Sequence, residues 1–101
     1  MVRLLAGLAA SVLAITPAHS AYFGIGTSSC ANWQTHGNES QGRIWIMGFF
    51  SGMSAMDPAG DDVGNETDAP AILAEVALIC GKNPSMKLRD AVSKYYRSLG
   101  R

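Results

Sequence analysis

Ile44-Trp45-Ile46-Met47-Gly48-Phe49-Phe50-Ser51-Gly52-Met53-Ser54-Ala55-Met56 decides how this chain is read. The stretch carries no charge and holds two of the three phenylalanines. On a helix its residues divide by size. Gly48, Ser51, Gly52 and Ala55 fall on one side, and Trp45, Ile46, Phe49, Phe50, Met53 and Met56 on the other. The small face is expected to receive another helix at close range, and the bulky face to fill space. A competing reading is a strand, since Ile44-Trp45-Ile46 and Phe49-Phe50 have high β-propensity. Helix is favoured because the size division is orderly and no partner strand appears elsewhere. The expected span is Glu39 to Met56, begun by Asn38 or Ser40 and broken by Asp57-Pro58.

Working outward, the N-terminal twenty residues do not belong to this domain. Met1-Val2-Arg3 is a short basic start, Leu4 to Ile15 is an apolar run, and Ala18-His19-Ser20 is a small-x-small cleavage pattern. Residues 1–20 therefore read as a cleaved secretory signal peptide, placing the protein in the periplasm or outside the cell. A membrane anchor or a buried N-terminal helix is the alternative. The run is short of the ~20 residues a bilayer requires, so no stable membrane insertion is expected. Residues 21–29, rich in Gly and Ser, read as a flexible N-terminal arm, and residues 30–101 as a single helical domain.

Without Arg3 the chain has seven Lys plus Arg against eight Asp plus Glu. That balance gives no basic footprint for nucleic acid. Export and an even cysteine count make a Cys30–Cys80 disulfide the default, with two free thiols in the core as the alternative. A bridge closing a loop of that length is worth roughly 4 kcal/mol in a domain whose core is small.

Three further helices are expected. Thr27 or Ser28 caps a short one carrying Cys30, Trp33 and Gln34, which ends at Gly37. Thr67 or Asp68 caps another, with Pro70 in its first turn, Ile72, Leu73, Val76, Ile79 and Cys80 on one face, and Gly81 as its stop. The last runs from Met86 to Leu99. There Leu88, Ala91, Val92, Tyr95, Tyr96 and Leu99 follow helical spacing. The fold class is all-α, a small disulfide-tied bundle of three to four helices. Its expected core is Trp33, Trp45, Gly48, Phe49, Phe50, Gly52, Met53, Ile72, Val76, Ile79, Leu88, Val92, Tyr95 and Leu99.

The residues offer little chemistry. With one histidine, His36, past the signal peptide and two distant cysteines, zinc has no ligand set, and neither metal nor cofactor is expected. Residues 57–68 hold Asp57, Asp61, Asp62, Glu66 and Asp68 among glycines. Their spacing departs from a calcium loop, so a solvated connector is favoured over a cation site. His36 is the one candidate base, and nothing in the sequence brings Ser40 or Ser51 to it, so no catalytic residues are assigned and no enzyme is expected. Charge is distributed unevenly: the 57–68 segment has five acids and no base, whereas Lys87, Arg89, Lys94, Arg97 and Arg101 load the C-terminal helix and tail. That layout is either an ordinary solvated surface or a polarised one for a charged partner. Met47, Met53, Met56 and Met86 either fill the core or line an apolar patch for a partner or a dimer.

Cys30-Ala31-Asn32-Trp33, the run Trp45-Ile46-Met47-Gly48-Phe49-Phe50-Ser51-Gly52, and Cys80 followed by Asn83-Pro84 resemble a group of small exported bacterial proteins. The group is similar to the HdeA-type periplasmic acid chaperones and to the Rap/Tai immunity proteins of type VI secretion. The resemblance covers about Cys30 to Leu99. It implies an all-helical domain, a Cys30–Cys80 bridge, and action by binding another protein, as a monomer or a homodimer. The expectation is an exported, non-enzymatic protein-binding module of immunity or accessory type. The alternative is an acid-responsive periplasmic chaperone, and a small hydrolase or metal-binding protein ranks below both.

Overall fold

A computed structural model of the chain describes residues 23–100. The expected signal peptide, residues 21 and 22, and Arg101 lie outside the described residues. Among the described residues there are five α-helices, one 3-10 turn and no strand, only an isolated antiparallel bridge between Ser29 and Lys87. The protein is all-α. The helices are α1 (Cys30–Trp33), α2 (Glu39–Met56), α3 (Gly60–Gly64), α4 (Ala69–Lys82) and α5 (Leu88–Ser98), with the 3-10 turn at Gly24–Thr27.

Local chemistry sets these boundaries. The Ser29 side chain, one residue beyond the expected cap, accepts the Asn32 N–H at 3.1 Å and starts α1. Gly37, at φ +98°, turns the chain toward α2. Asp57 leaves α2 in extended backbone ahead of Pro58, and its Oδ1 accepts the Ala59 N–H at 2.9 Å. Asp68 caps α4 through the Ala71 N–H at 2.9 Å, with Pro70 in the first turn. The expected stop at Gly81 moves to Asn83, because α4 continues through Lys82 and the Asn83 amide Nδ2 then donates to the Ile79 carbonyl at 2.9 Å.

α5 is the most enclosed helix. Leu88, Ala91, Val92, Tyr95 and Tyr96 are buried along it, and Leu99 just beyond it. α4 presents Ile72, Val76 and Cys80 to the core, four residues apart. α2 presents Gly42, Ile46 and Phe50 with the same spacing. The Phe50 ring meets Tyr96 edge-on at 5.1 Å and Tyr95 at 6.3 Å. Cys30 and Cys80, both fully buried, form a disulfide that ties the start of α1 to the last turn of α4. Around it the Cys30 N–H donates to the Met86 carbonyl and the Leu88 N–H to the Ser28 carbonyl, at 2.7 and 2.9 Å.

Three expectations are corrected. The segment expected as a flexible arm is packed from Gly24 onward: Ile25 and Gly26 are buried, and the Phe23 carbonyl accepts the Trp45 indole N–H at 2.7 Å. The connector between α2 and α4 contains α3, whose Val63 is fully buried. Gly48 and Gly52, expected in the core, are exposed, and a Cβ at either meets nothing within 4 Å. The physical reason is a shortage of cover. α1 and α3 have four and five residues, and the two longer partners pack on the Ile46–Phe50 side. The close approaches occur elsewhere. A Cβ at Gly26 would fall inside the Trp45 ring, one at Gly42 inside the Trp33 ring, and one at Gly60 on the Ser54 carbonyl.

Candidate functional site: an uncharged helix face beside a groove

With its small residues turned outward, α2 offers an uncharged strip to solvent. Ile44 is 75% exposed and Met56 85%, and between them Gly48, Ser51, Gly52 and Ala55 are exposed as well. Its bulky side divides by depth. Ile46 and Phe50 are buried, while Trp45, Met47, Phe49 and Met53 are half-buried against the core. Trp45 stacks on Phe49 with ring centroids 4.7 Å apart, and the 3-10 turn covers its other side.

Beside this strip lies a shallow groove of about 420 Å³. α2 contributes Met47, Phe50, Ser51, Ser54 and Ala55, α3 contributes Asp61 and Gly64, and Thr67 and Ile72 close the far end. Phe50 and Ile72 are buried, so the deep side is apolar. The α3 side is anchored by hydrogen bonds. The Gly60 N–H donates to the Asp57 carbonyl at 2.9 Å, and the Ser54 hydroxyl donates to the Gly60 carbonyl at 3.2 Å. The Thr67 and Tyr95 hydroxyls pair at 2.8 Å, and the Tyr96 hydroxyl donates to Asp57 Oδ2 at 2.7 Å. These links tie the groove's outer wall to the enclosed α5.

One charged residue, Asp61, lines the groove. Asp61, Asp62 and Glu66 are exposed and pair with no cation among the described residues, whereas the Asp68 carboxylate is engaged as the α4 cap. On α5 Lys94 and Arg97 are exposed, and Arg89 lies 3.6 Å from Asp90. At the opposite end of α2, Glu39 is held below the ordinary glutamate pKa, first by its own backbone N–H and then by that of Gly37, which reaches its carboxylate at 2.9 Å.

The residues considered for catalysis stay apart. His36 is exposed in the turn after α1, the Ser40 hydroxyl accepts from Arg43 at 3.2 Å, and Ser51 lines the groove. Among the described residues no hydrogen bond joins His36 to either serine. No group of three or more His, Cys, Asp or Glu is placed there to hold a metal ion, and no helix there is long and apolar enough to cross a membrane. Of the expected core, Trp33, Phe50, Ile72, Val76, Leu88, Val92, Tyr95 and Leu99 are buried, and Trp45, Phe49, Met53 and Ile79 are partly buried against them. Sequence reasoning missed the groove, because its walls come from three elements. It also missed the cover on Trp45, for which Gly24 and Gly26 beside an aromatic-rich helix were the available signal. No family model, curated protein or solved structure matches this chain.

Proposed function

We propose that this chain is an exported, non-enzymatic protein-binding module, of the immunity or accessory type that its motifs resemble. The observation that carries the reading is the outward-facing strip from Ile44 to Met56, which has no charge over thirteen residues and borders a groove with an apolar floor. A helix face without charge is unusual on a solvated surface, and such patches mark interaction sites. Its glycines carry no side chains to obstruct a partner backbone. The test is a photo-crosslinking amino acid at Gly52, with a control at Lys94. Crosslinking to one main protein from position 52 is the expected result. A smear of unrelated proteins, or equal yields from both positions, sinks the reading.

A second reading, an acid-responsive periplasmic chaperone, is favoured by one observation. The Asp57 carboxylate joins the end of α2 to α5 through Tyr96 and also accepts the Ala59 N–H. Neutralising it in acid removes the charge from those hydrogen bonds, which weakens the tie and frees apolar surface of α2 and α4. A dye for exposed apolar surface should then brighten between neutral pH and about 3. Unchanged fluorescence eliminates this alternative.

A further inference from the structure

The groove beside α2 has three chemically distinct sides. Phe50 and Ile72 form an apolar floor, and Ser51 and Ala55 form a low wall continuous with the uncharged strip. Asp61 lines the opposite side, and Asp62 and Glu66 lie near it in sequence without lining the groove; all three are exposed and without a cationic partner among the described residues. No Lys, Arg or His occurs anywhere in residues 57–68. We propose that the occupant of this groove is an amphipathic α-helix of a partner protein that carries Lys or Arg along one edge. Its small and aliphatic side chains seat over Phe50 and Ile72, and its cationic edge lies along α3. The inference rests on the protein-binding reading and adds the chemistry of the partner.

The backbone argues against a strand as the occupant. A peptide strand docks by adding to a sheet edge, where unpaired N–H and C=O groups await it. The groove is walled by helices, whose backbone groups are satisfied internally, and the isolated Ser29–Lys87 bridge does not line it. Recognition must therefore run through side chains, as it does when a helix lies in a groove. From Ile44 to Met56 the strip is about 18 Å long, the length of a partner helix of about a dozen residues.

Charge explains why the partner is cationic. The α2 wall and the floor are neutral, and Asp61 is the one charged residue among those lining the groove, so it sets the sign of the charge there. Like charges brought there would be repelled, and opposite charges steered in. A second copy of this chain fits poorly. Its cationic helix, α5, already buries its apolar face of Leu88, Val92 and Tyr95, and its α2 strip would arrive with the same Asp61 beside it. An anionic membrane surface is disfavoured for the same electrostatic reason.

The experiment uses the full chain with Cys30–Cys80 oxidised and two designed helical peptides of about fifteen residues. One carries an Ala/Leu stripe edged with Lys and Arg, and the other has Glu at those edge positions. Fluorescence anisotropy should show the cationic peptide binding at least about tenfold more tightly. That preference should weaken as NaCl rises from about 0.05 to 0.5 M. It should vanish in the exposed-residue variant Asp61→Asn/Asp62→Asn/Glu66→Gln. Ser51→Trp, at an exposed position, should abolish binding while leaving the melting temperature unchanged. Equal binding of both peptides, binding of neither, or a preference that survives the triple substitution overturns the proposal. So does a homodimer in sedimentation that Ser51→Trp dissociates. The two readings fail separately: a partner crosslinked at position 52 whose capture ignores the triple substitution leaves the binding module standing and removes the cationic helix.

Discussion

Gly26 and Gly48 show how differently one residue type acts in two surroundings. Gly26 is buried under the Trp45 ring, and that ring is held by its N–H bond to the Phe23 carbonyl and by stacking on Phe49. Moving the ring aside would break both contacts. Gly26→Ala is expected to destabilise by about 1–3 kcal/mol through overpacking. Gly48 faces open space within a regular helix. Gly48→Ala removes backbone entropy from the unfolded chain and meets nothing in the folded one, so it is expected to stabilise by about 0.5–1 kcal/mol. Urea unfolding of both variants checks the pair, and a destabilised Gly48→Ala would mean that the α2 strip is covered. At this scale the sequence was misleading. An orderly division into small and large residues looked like a buried seam, but size alone does not say which face has a neighbour.

At the scale of the element, α2 begins with a charge and ends with a tether. Glu39 sits in its first turn, near the positive end of the helix dipole, and accepts the Gly37 N–H. Its depressed pKa gives the sign of its pH effect. The stabilisation it contributes is present above the unfolded glutamate value of about 4.3. It is lost as pH falls through the lower folded value. Melting temperatures of the wild type and Glu39→Gln should therefore differ at neutral pH and converge in acid. A difference that is constant across this range would assign the effect to packing. The end of α2, the cap of α4 and the buried face of α5 were legible because Pro58, the Asp68 cap and apolar spacing are local signals, whereas Asn38 precedes α2 without a side-chain cap bond. α3 was not, since its five residues read as a Gly-rich acidic connector. Its burial depends on one side chain, Val63, and on the close approach of Gly60 to Ser54.

For the whole molecule, the disulfide is the main covalent constraint on a small core. It spans a sequence separation of 50, and closing such a loop in the unfolded chain is worth about 4 kcal/mol. Domains of this size have total stabilities of about 5–15 kcal/mol. Reduction, or Cys30→Ser with Cys80→Ser, should consequently remove a large share of the stability. Chemical unfolding with and without reductant measures it, and a loss below about 1 kcal/mol would show that the helices hold without the bridge. The proposed binding role and the proposed cationic partner also belong to this scale. The groove exists only where α2, α3 and the start of α4 meet, so its integrity depends on the links from Asp57 and Thr67 to α5.

The sequence by itself determined the all-α class, the longer helices and the candidate bridge, because periodicity, caps and cysteine count act over a few residues or need no geometry. Only the tertiary structure decided which side of Ile44–Met56 is covered. Two long helices and a disulfide leave enough cover for the Ile46–Phe50 side and none for the small one. The same shortage places Gly48 and Gly52 in solvent, turns Gly26 and Gly42 into the sites of tightest packing against Trp45 and Trp33, and opens the groove beneath Asp61. Burial is a property of what lies opposite a residue, and a single stretch of sequence does not contain its opposite.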